Sequence, residues 1–458
     1  MAERRSSVDQ LNEEVVQFTS ELIRIDTSNH GGGQCRERPA AEYVATLLSE
    51  AGLAPRILES APGRANVIAH LSGTQPERDA LLVHGHLDVV PADPAQWRVP
   101  PFSGEIHEDM VWGRGALDMK QALAMTLATV RHWHRTGHRP RRSLVLAFTA
   151  DEEDSAAYGA AWLAREHADE LSHVSEGISE SGGHTYHATN AAGAPVRLYP
   201  IGAGERGSAW LQLTAHGTAG HGSRASRGVA GQSDNAVSAL ADAVARIAAH
   251  SWPVRLTDTT RTSLTEITAA LGIATDVTAA DFDADRDMDA LLDRLGAAGE
   301  LLRPGVRNST NPTMLEAGYK LNVIPGSARA GVDGRIVPGA AAEFHTTMDA
   351  LTGPKVDWEF AHASPPIQAP VDTPTFAAMR DALLAEDPQA QVVPVCLSGG
   401  TDAKHFAALD ITGYGFVPMG LDESWPYRSL VHGVDERVPI AAVQFGARVL
   451  DRFLRTVT

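Results

Sequence analysis

The segment Leu81–Pro91, LLVHGHLDVVP, decides the fold and carries the first candidate site residues. Its apolar run predicts a strand over Leu81–Val90. Because side chains alternate along a strand, His84, His86 and Asp88 fall on the same side of it. The segment ends where open α/β sheets bind their substrates, at the carboxyl ends of the strands. This strand end is therefore the starting point for a site.

Strand and helix patterns alternate around this segment. Ala65–His70 and Ser143–Thr149 predict strands, while Ala40–Ala51 and Lys120–Thr136 predict helices. Such alternation indicates an α/β domain whose sheet is largely buried. The predicted fold class is α/β: a catalytic domain with a mixed, mostly parallel sheet flanked by helices.

The middle of the chain has a different pattern. A strand at Ala209–Ala215 is followed by a loop rich in Gly and Ser, a helical stretch at Ser233–Ala249, and strands at Ser327–Ile336 and Val356–His362. These elements predict a smaller α+β domain that interrupts the first one. The predicted boundaries are residues 1–203 and 364–458 for the catalytic domain and residues 204–363 for the inserted domain.

Composition limits the function classes. At 458 residues the chain is too long for one compact core, which predicts two domains. Its net charge of −18 argues against a nucleic-acid partner. The start has no apolar core of signal-peptide length, and no stretch holds the ~20 apolar residues of a membrane span. Only Cys35 and Cys396 are present, which fits a reducing compartment, so we predict a cytoplasmic protein.

The acidic run DFDADRDMDA, Asp281–Ala290, has the alternating aspartates of a calcium loop. Arg286 stands where such a loop needs glycine, and Leu292 where it needs glutamate. The run is therefore predicted to be a solvated acidic loop.

Two further segments carry carboxylates. In GRGALDMK, Asp118 precedes a predicted helix, where it could be an N-cap or a carboxylate that bridges two cations ~3.5–4 Å apart. In TADEED the acids Glu152 and Glu153 could form a solvated turn. Near a metal, one could bind the ion while the other takes a proton from water. With Glu180 and His432, these residues make a nitrogen and oxygen set that suits zinc.

Eight motifs occur in one order along the chain: HGHLDVVP, GRGALDMK, TADEED, ISESGG, GHGS, NVIPG, SGGTDA and VHG. In that order they resemble the zinc-dependent family of acetylornithine deacetylase, succinyl-diaminopimelate desuccinylase, aminoacylase, dipeptidases and glutamate-releasing carboxypeptidases. The resemblance extends from Ile25 to the last helix. It implies a hydrolase with two Zn²⁺ ions per chain, for which Co²⁺ or Mn²⁺ could substitute.

The resemblance also implies residue roles. Asp118 would bridge the two ions, with Glu152 as the general base that takes a proton from a water held between them. Asp88 would orient His86. The remaining ligands would be His86 and Glu180 for one ion, and Glu153 and His432 for the other.

For the inserted domain the resemblance implies a lid that also forms a homodimer. His221 in GTAGHGS would reach the neighbouring subunit's active site and polarise the scissile carbonyl. Asn322 in LNVIPG and Arg335 in VDGRIVPG would bind the substrate's carbonyl and carboxylate. Gly400 in SGGTDA would line the pocket.

Some positions depart from the family pattern. Gln121 stands where the family often has glycine, and His84 adds an imidazole close to His86, for which a core role is the favoured interpretation. Glu180, rather than aspartate, resembles the acylase, desuccinylase and carboxypeptidase branches. The implied substrate is a small N-acyl amino acid. The alternatives are a dipeptidase or carboxypeptidase acting on short peptides, and a homologue that only binds amino acids or peptides.

Overall fold

This computed structural model describes residues 7–224, 234–279 and 282–458, which form thirteen α-helices and nineteen strands. The helices are α1 Ser7–Ile23, α2 Arg38–Glu50, α3 Lys120–Thr136, α4 Ala160–Glu166, α5 Ala236–Ala249, α6 Asp258–Ala270, α7 Ala284–Arg294, α8 Ala297–Leu302, α9 Ala341–Thr352, α10 Pro374–Glu386, α11 Ala403–Phe406, α12 Tyr427–Leu430 and α13 Ile440–Thr456. The strands are β1 Arg56–Ala61, β2 Arg64–Leu71, β3 Ala80–His86, β4 Ile106–His107, β5 Met110–Trp112, β6 Leu144–Thr149, β7 Val174–Ser179, β8 Tyr186–Thr189, β9 Pro195–Glu205, β10 Gly207–His216, β11 Gly220–His221, β12 Ser309–Ala317, β13 Val323–Ile324, β14 Ser327–Ile336, β15 Val356–Ala363, β16 Ile367–Gln368, β17 Gln391–Leu397, β18 Thr412–Gly415 and β19 Arg437–Pro439.

Ten strands form one mixed sheet. Its order is β1-β2-β6-β3-β7-β18-β9-β16, and β8 and β17 also pair with β9. The central strands β6, β3, β7 and β18 run parallel, whereas β1, β2 and β16 pair antiparallel with their neighbours. Every residue of β3 and β6 is buried, as expected for strands covered on both faces.

Helices cover both faces of this sheet. On one face α1, α2, α3, α10 and α13 share a core with β2 and β3, and on the other α4 and α11 pack against β2, β3 and β6. Helix α3 has the predicted bounds and ends at Gly137, whose φ of 69° is the left-handed conformation that glycine adopts readily. The mixed sheet with a parallel centre and flanking helices confirms the predicted fold class.

A separate antiparallel sheet has the order β12-β14-β10-β15. Its inward residues pack against α5 and α9, with Leu211, Leu240 and Phe344 in that core. Buried and less buried residues alternate along β10 and β14, because one face of the sheet is covered by helices and the other is not. All four strands fall within residues 204–363, and the domain boundaries themselves stay a prediction.

Helices α6, α7 and α8 do not pack on this four-stranded sheet. Leu264 of α6, Leu292 of α7 and Leu302 of α8 form a core with Leu198 of β9 and Val395 of β17. The chain after α5 therefore returns to the ten-stranded sheet, where α6, α7 and α8 pack, before it goes back to the smaller sheet at β12.

The predicted solvated loop at the acidic run is wrong, because α7 occupies most of it; Asp281 itself lies outside the described residues. Asp283 caps the helix by accepting hydrogen bonds from the backbone N–H groups of Asp285 and Arg286. Acidic residues in the first turn favour the helix N-terminus. The spacing of Met288, Leu291 and Leu292, which are all buried, gives the helix its apolar face.

No helix in the described parts of the chain combines the length and the apolar character needed to cross a membrane.

Candidate metal centre

Three of the five predicted metal ligands lie at strand ends on one edge of the large sheet, and the other two lie at helix ends beside them. His86 is the last residue of β3, Glu180 follows β7, and Glu153 lies in the loop after β6. Because β3 runs parallel to β6 and β7, their carboxyl ends meet at the same edge. Asp118 precedes α3 and His432 follows α12, and both face this edge.

Asp118 stands between two groups of ligand atoms. Its Oδ1 lies 3.1 Å from His86 Nε2, which is 3.7 Å from Glu180 Oε2. Its Oδ2 lies 3.2 Å from His432 Nε2, which is also 3.2 Å from Glu153 Oε2. Within each group the ligand atoms lie within 4.8 Å of one another. The N-cap of α3 is Met119, so Asp118 does not act as the cap that the sequence left open.

The residues present fit two divalent cations. Each group offers one imidazole nitrogen and carboxylate oxygens, a donor set that suits zinc and similar ions. Oε1 of Glu153 is buried and has no hydrogen-bond partner among the described residues, a costly arrangement that a cation would relieve. The His86 side chain is 1% exposed and that of His432 is 48% exposed, so the second group is the one open to solvent.

The protonation of the histidine in each group depends on the carboxylates beside it. Burial lowers the pKa of His86, but the carboxylate of Asp118, which accepts a hydrogen bond from the ring, and the nearby carboxylate of Glu180 more than offset this and raise it well above its usual value. The carboxylates of Asp118 and Glu153, each 3.2 Å from His432 Nε2, favour the protonated ring and raise the pKa of His432 to about 10. Both histidines must lose a proton to bind a metal, so cation binding would release protons.

Glu152 lies beside both groups and belongs to neither. Burial, and then the negative charge of Glu180, raise the pKa of Glu152 well above its ordinary value. A carboxylate in such surroundings holds a proton more readily than one in water, which is the property a general base and acid requires.

Asp88 contacts this centre in a different way from the one predicted. Strand β3 ends at His86, so Asp88 lies in the following loop. The Asp88 backbone carbonyl lies 2.9 Å from His86 Nδ1, whereas its carboxylate is 3.7 Å away. A carbonyl can only accept, so Nδ1 carries the proton and Nε2 is left for a metal. The carboxylate accepts instead from the backbone N–H groups of Glu152 and Glu153, at 3.2 Å each.

Glu436 is a residue that the sequence analysis missed. Its Oε1 accepts hydrogen bonds from the backbone N–H groups of Leu117 and Asp118, at 2.7 and 3.2 Å. Its Oε2 lies 2.6 Å from Arg114 Nη1, and Arg114 Nη2 donates to the His432 carbonyl. Glu436 thus ties the loop of Asp118 to the loop of His432. No spacing rule marks this residue, although it lies only four positions after His432 of the VHG motif.

A second buried network supports the turn that carries Glu152. Arg64 forms hydrogen bonds to Glu37 at 2.8 Å and to Asp151 at 2.6 Å, and all three side chains are buried. Nδ2 of Asn29 donates to both Asp151 and Asp88. The turn after β6 is therefore held in place by buried charged side chains that pair with one another.

His84 takes no part in either group of ligands. Its ring lies edge-on to Phe406, with ring centroids 4.8 Å apart, and burial followed by the charge of His86 lowers its pKa to about 3. The structure therefore gives it the core position that the sequence favoured.

His221 is the last residue of β11 and Asn322 directly precedes β13, the strand that pairs with β11; both residues are exposed. The backbone N–H of Gly222 donates to the Asn322 carbonyl at 2.8 Å, and Nδ1 of His221 lies 2.9 Å from the Ser223 hydroxyl. None of their contacts in the described residues reaches the metal ligands.

Arg335 and Gly400 also lie apart from the ligands. Nε and Nη2 of Arg335 donate to the two carboxylate oxygens of Asp333, at 2.8 and 3.1 Å. Gly400 lies in the loop after β17, where an added Cβ would come 3.2 Å from Lys404 Nζ. The structure thus brings together the predicted metal ligands, Asp88 and Glu152, but not the four predicted substrate contacts.

A mixed α/β sheet with two histidine–carboxylate groups that share one aspartate is the arrangement of a metal-dependent peptidase or amidohydrolase. Residues 82–456 match the model of peptidase family M20/M25/M40, and the chain belongs to this family. It is therefore a hydrolase that acts on C–N bonds.

The chain is 26% identical to the N-fatty-acyl-amino acid synthase/hydrolase PM20D1 of Xenopus tropicalis, over 94% of this chain and 83% of that protein. It is 24% identical to aminoacylase-1 of Sus scrofa, over 91% of this chain and 89% of that protein. Its fold is similar to that of the M20 family metallo-carboxypeptidase Sso-CP2 from Sulfolobus solfataricus, with a TM-score of 0.67, 19% identity and coverage of 97% and 99%.

Proposed function

We propose that this protein is a di-zinc hydrolase that cleaves the amide bond of small N-acyl amino acids. The observation that carries the proposal is Asp118, whose two carboxylate oxygens face two different histidines at 3.1 and 3.2 Å. One ion would be held by Asp118, His86 and Glu180, and the other by Asp118, Glu153 and His432. Co²⁺ or Mn²⁺ could replace zinc.

Two cations in this position would lower the pKa of an attacking water and polarise the amide carbonyl. Glu152 takes the proton of that water and passes it to the leaving amine. Its buried surroundings, which disfavour the charged carboxylate, support this role. Asp88 holds the backbone of Glu152 and Glu153 in place and, through its carbonyl, fixes the ring of His86.

The amino-acid half of the substrate would be bound from the inserted domain, residues 204–363, acting as a lid. His221 of one subunit would donate a hydrogen bond to the scissile carbonyl in the neighbouring site, and Asn322 directly precedes Val323, the residue that pairs with His221. Arg335 would bind the substrate carboxylate in place of Asp333. Gly400 would line the pocket.

A homodimer through the inserted domain is part of this proposal. Four large apolar side chains are exposed on β12 and in the turn that follows it, a concentration typical of a contact surface. They are Met314, Leu315, Tyr319 and Leu321.

The names of the relatives support N-acyl amino acids as the substrate class, since both act on an acylated amino acid. The chemistry of a dipeptidase or carboxypeptidase would be the same, so that alternative differs only in the pocket. A homologue that binds amino acids or peptides without cleaving them is disfavoured, because all five predicted metal ligands and Glu152 are present. The two cysteines, both free and buried, support a cytoplasmic location.

The test is metal content by mass spectrometry for the wild type, His86→Ala and Glu152→Ala, with hydrolysis of N-acyl amino acids and dipeptides measured in parallel. We expect two zinc ions per wild-type chain, fewer in His86→Ala, and retained metal without activity in Glu152→Ala. Faster cleavage of dipeptides than of N-acyl amino acids would favour the peptidase alternative. A wild type without metal and without activity would overturn the proposal.

A further inference from the structure

A cavity of about 300 Å³ adjoins the candidate metal centre, and Tyr427 is part of its wall. Asp118 and Glu180 line the same cavity, so a molecule held there lies against two of the predicted metal ligands. Tyr427 is the first residue of α12, the short helix that precedes His432. The segment that supplies one predicted ligand therefore also places a tyrosine beside two others.

Several contacts hold the ring of Tyr427 in position. The ring stacks on that of His184, with centroids 4.0 Å apart and an angle of 24° between the planes, and it packs against the apolar core of the large sheet. The Tyr427 backbone N–H donates to the Trp425 carbonyl at 2.9 Å. Burial, and then the charge of Arg428, lower the pKa of His184 to about 4, so the stacked imidazole is uncharged at neutral pH. The ring is thus fixed by apolar and stacking contacts, and its hydroxyl plays no part in them.

The hydroxyl of Tyr427 differs from those of two other tyrosines. The Tyr186 hydroxyl donates to the Ala297 carbonyl at 2.8 Å, and the Tyr414 hydroxyl donates to the Pro370 carbonyl at 2.7 Å. In the parts of the chain that the structure describes, the Tyr427 hydroxyl has no such acceptor. A polar group taken out of water without a partner costs free energy, so an acceptor on a molecule in the cavity would be favoured.

The surroundings of this hydroxyl keep it protonated. Burial raises the pKa of Tyr427, and the negative charges of Asp118, Glu180 and Glu436 raise it further. Because such an effect falls off with distance, the hydroxyl end of the side chain lies on the side of these carboxylates. An ordinary phenol is also protonated at neutral pH, so cations bound nearby would leave it a hydrogen-bond donor.

We propose that the Tyr427 hydroxyl donates a hydrogen bond to the oxygen of the scissile carbonyl, an inference that rests on the proposed function. In the proposed reaction the carbonyl lies beside the ions, and Asp118, the predicted bridge between them, shares the cavity wall with Tyr427. The carbonyl oxygen gains negative charge as water adds to the carbon, so a hydrogen bond to it strengthens in the transition state. Tyr427 keeps its own proton and acts within its own subunit, whereas His221 is proposed to act across subunits.

The first experiment compares Tyr427→Phe with the wild type in metal content, Tm and steady-state kinetics on an N-acetyl amino acid. Loss of one donor to the oxyanion should lower kcat by about 10²–10³-fold and change KM little. Metal content should not change, and Tm should stay the same or rise, because the hydroxyl has no partner in the chain to lose. The matched control is Tyr186→Phe, whose hydroxyl donates to Ala297 and does not line this cavity; it should leave kcat unchanged.

A second measurement detects the contact without turnover. The probe is an analogue of the same substrate in which P(O)(OH)CH₂ replaces the amide C(O)NH, and isothermal titration calorimetry measures its binding to the zinc-loaded protein. The phosphinate resembles the tetrahedral oxyanion, so Tyr427→Phe should weaken its binding by about 10–100-fold and leave binding of the free amino acid unchanged. This result would support the contact even if no N-acyl amino acid is hydrolysed and the proposed function fails.

Four results would overturn the role of Tyr427. Two are equal affinity of the wild type and Tyr427→Phe for the phosphinate, and a zinc-loaded wild type that does not bind it. A third is a raised KM with an unchanged kcat, which would mean that the hydroxyl contacts another part of the substrate. The fourth is recovery of activity when Tyr427→Phe is co-expressed with Glu152→Gln, because residues that serve the same site cannot complement each other in a mixed dimer.

Discussion

The metal centre and the predicted substrate contacts of the inserted domain are built in opposite ways. The predicted metal ligands contact one another, and their loops are held by buried residues such as Glu436 and Asn29. In contrast, His221 and Asn322 are exposed, and Arg335 is paired with Asp333. The residues of the first region contact one another within a single chain, whereas those of the second are proposed to act on a substrate and a neighbouring subunit. The metal chemistry should therefore survive in an isolated chain, and substrate positioning should not.

The largest expected effect tests the first region. Glu152→Gln removes the proton acceptor but keeps the shape of the side chain, so kcat should fall by about 10²–10⁴-fold with metal content unchanged. Steady-state kinetics and mass spectrometry of the same preparation check this. Asp154→Asn, an exposed acid of the same turn, is the matched control and should leave kcat unchanged. Full activity of Glu152→Gln would show that another group moves the proton.

The next variant tests whether the turn after β6 is held by its buried charges. Arg64→Leu leaves Glu37 and Asp151 buried without their partner, which should cost about 3–5 kcal/mol of stability. Scanning calorimetry should show a clear fall in Tm. Arg38→Leu, which removes an exposed arginine that pairs with Glu42 and Glu59, should change Tm little. Equal losses in the two variants would mean that burial of the Arg64 network does not stabilise the turn.

A third variant tests whether the second region acts across subunits. His221→Ala should lower kcat by about 10²–10³-fold, the usual effect of losing one hydrogen-bond donor to the oxyanion. Co-expression with Glu152→Gln should restore activity to roughly a quarter of the wild-type value, since half the dimers are mixed and each has one intact site. If the mixed dimers stay inactive, His221 does not serve the partner's site.

The smallest expected effect concerns Arg335. Arg335→Gln should raise KM for substrates with a free carboxylate by about tenfold and change kcat little, since a charged hydrogen bond to the bound substrate is lost. Asp333→Asn releases Arg335 from its ion pair and should lower KM or leave it unchanged. An unchanged KM in Arg335→Gln would place the carboxylate elsewhere.

The sequence predicted most reliably the elements whose apolar spacing is strong. Helix α3 and strand β14 have the predicted bounds, because an uninterrupted apolar pattern marks both ends. Helix α7 was missed because its many aspartates suggested a solvated loop, although the buried residues Met288, Leu291 and Leu292 have helical spacing. At the candidate metal centre, the order of the motifs pointed to residues that the structure brings together. The contact of His86 with a backbone carbonyl, and the link through Glu436, depend on how distant loops meet and leave no local pattern.

The return of α6, α7 and α8 to the large sheet has a mechanical consequence. The described chain passes between the two sheets four times: after β9, before α6, before β12 and after β15. The second and third passages run side by side, joined by the bridge between Val254 and Arg307 and by the hydrogen bond from Arg255 N–H to the Val306 carbonyl. A domain joined to another by two chain segments can rotate about several axes. Each additional connection removes some of these rotations. The smaller sheet is thus expected to move relative to the large sheet with less freedom than a domain joined to it by only two chain segments.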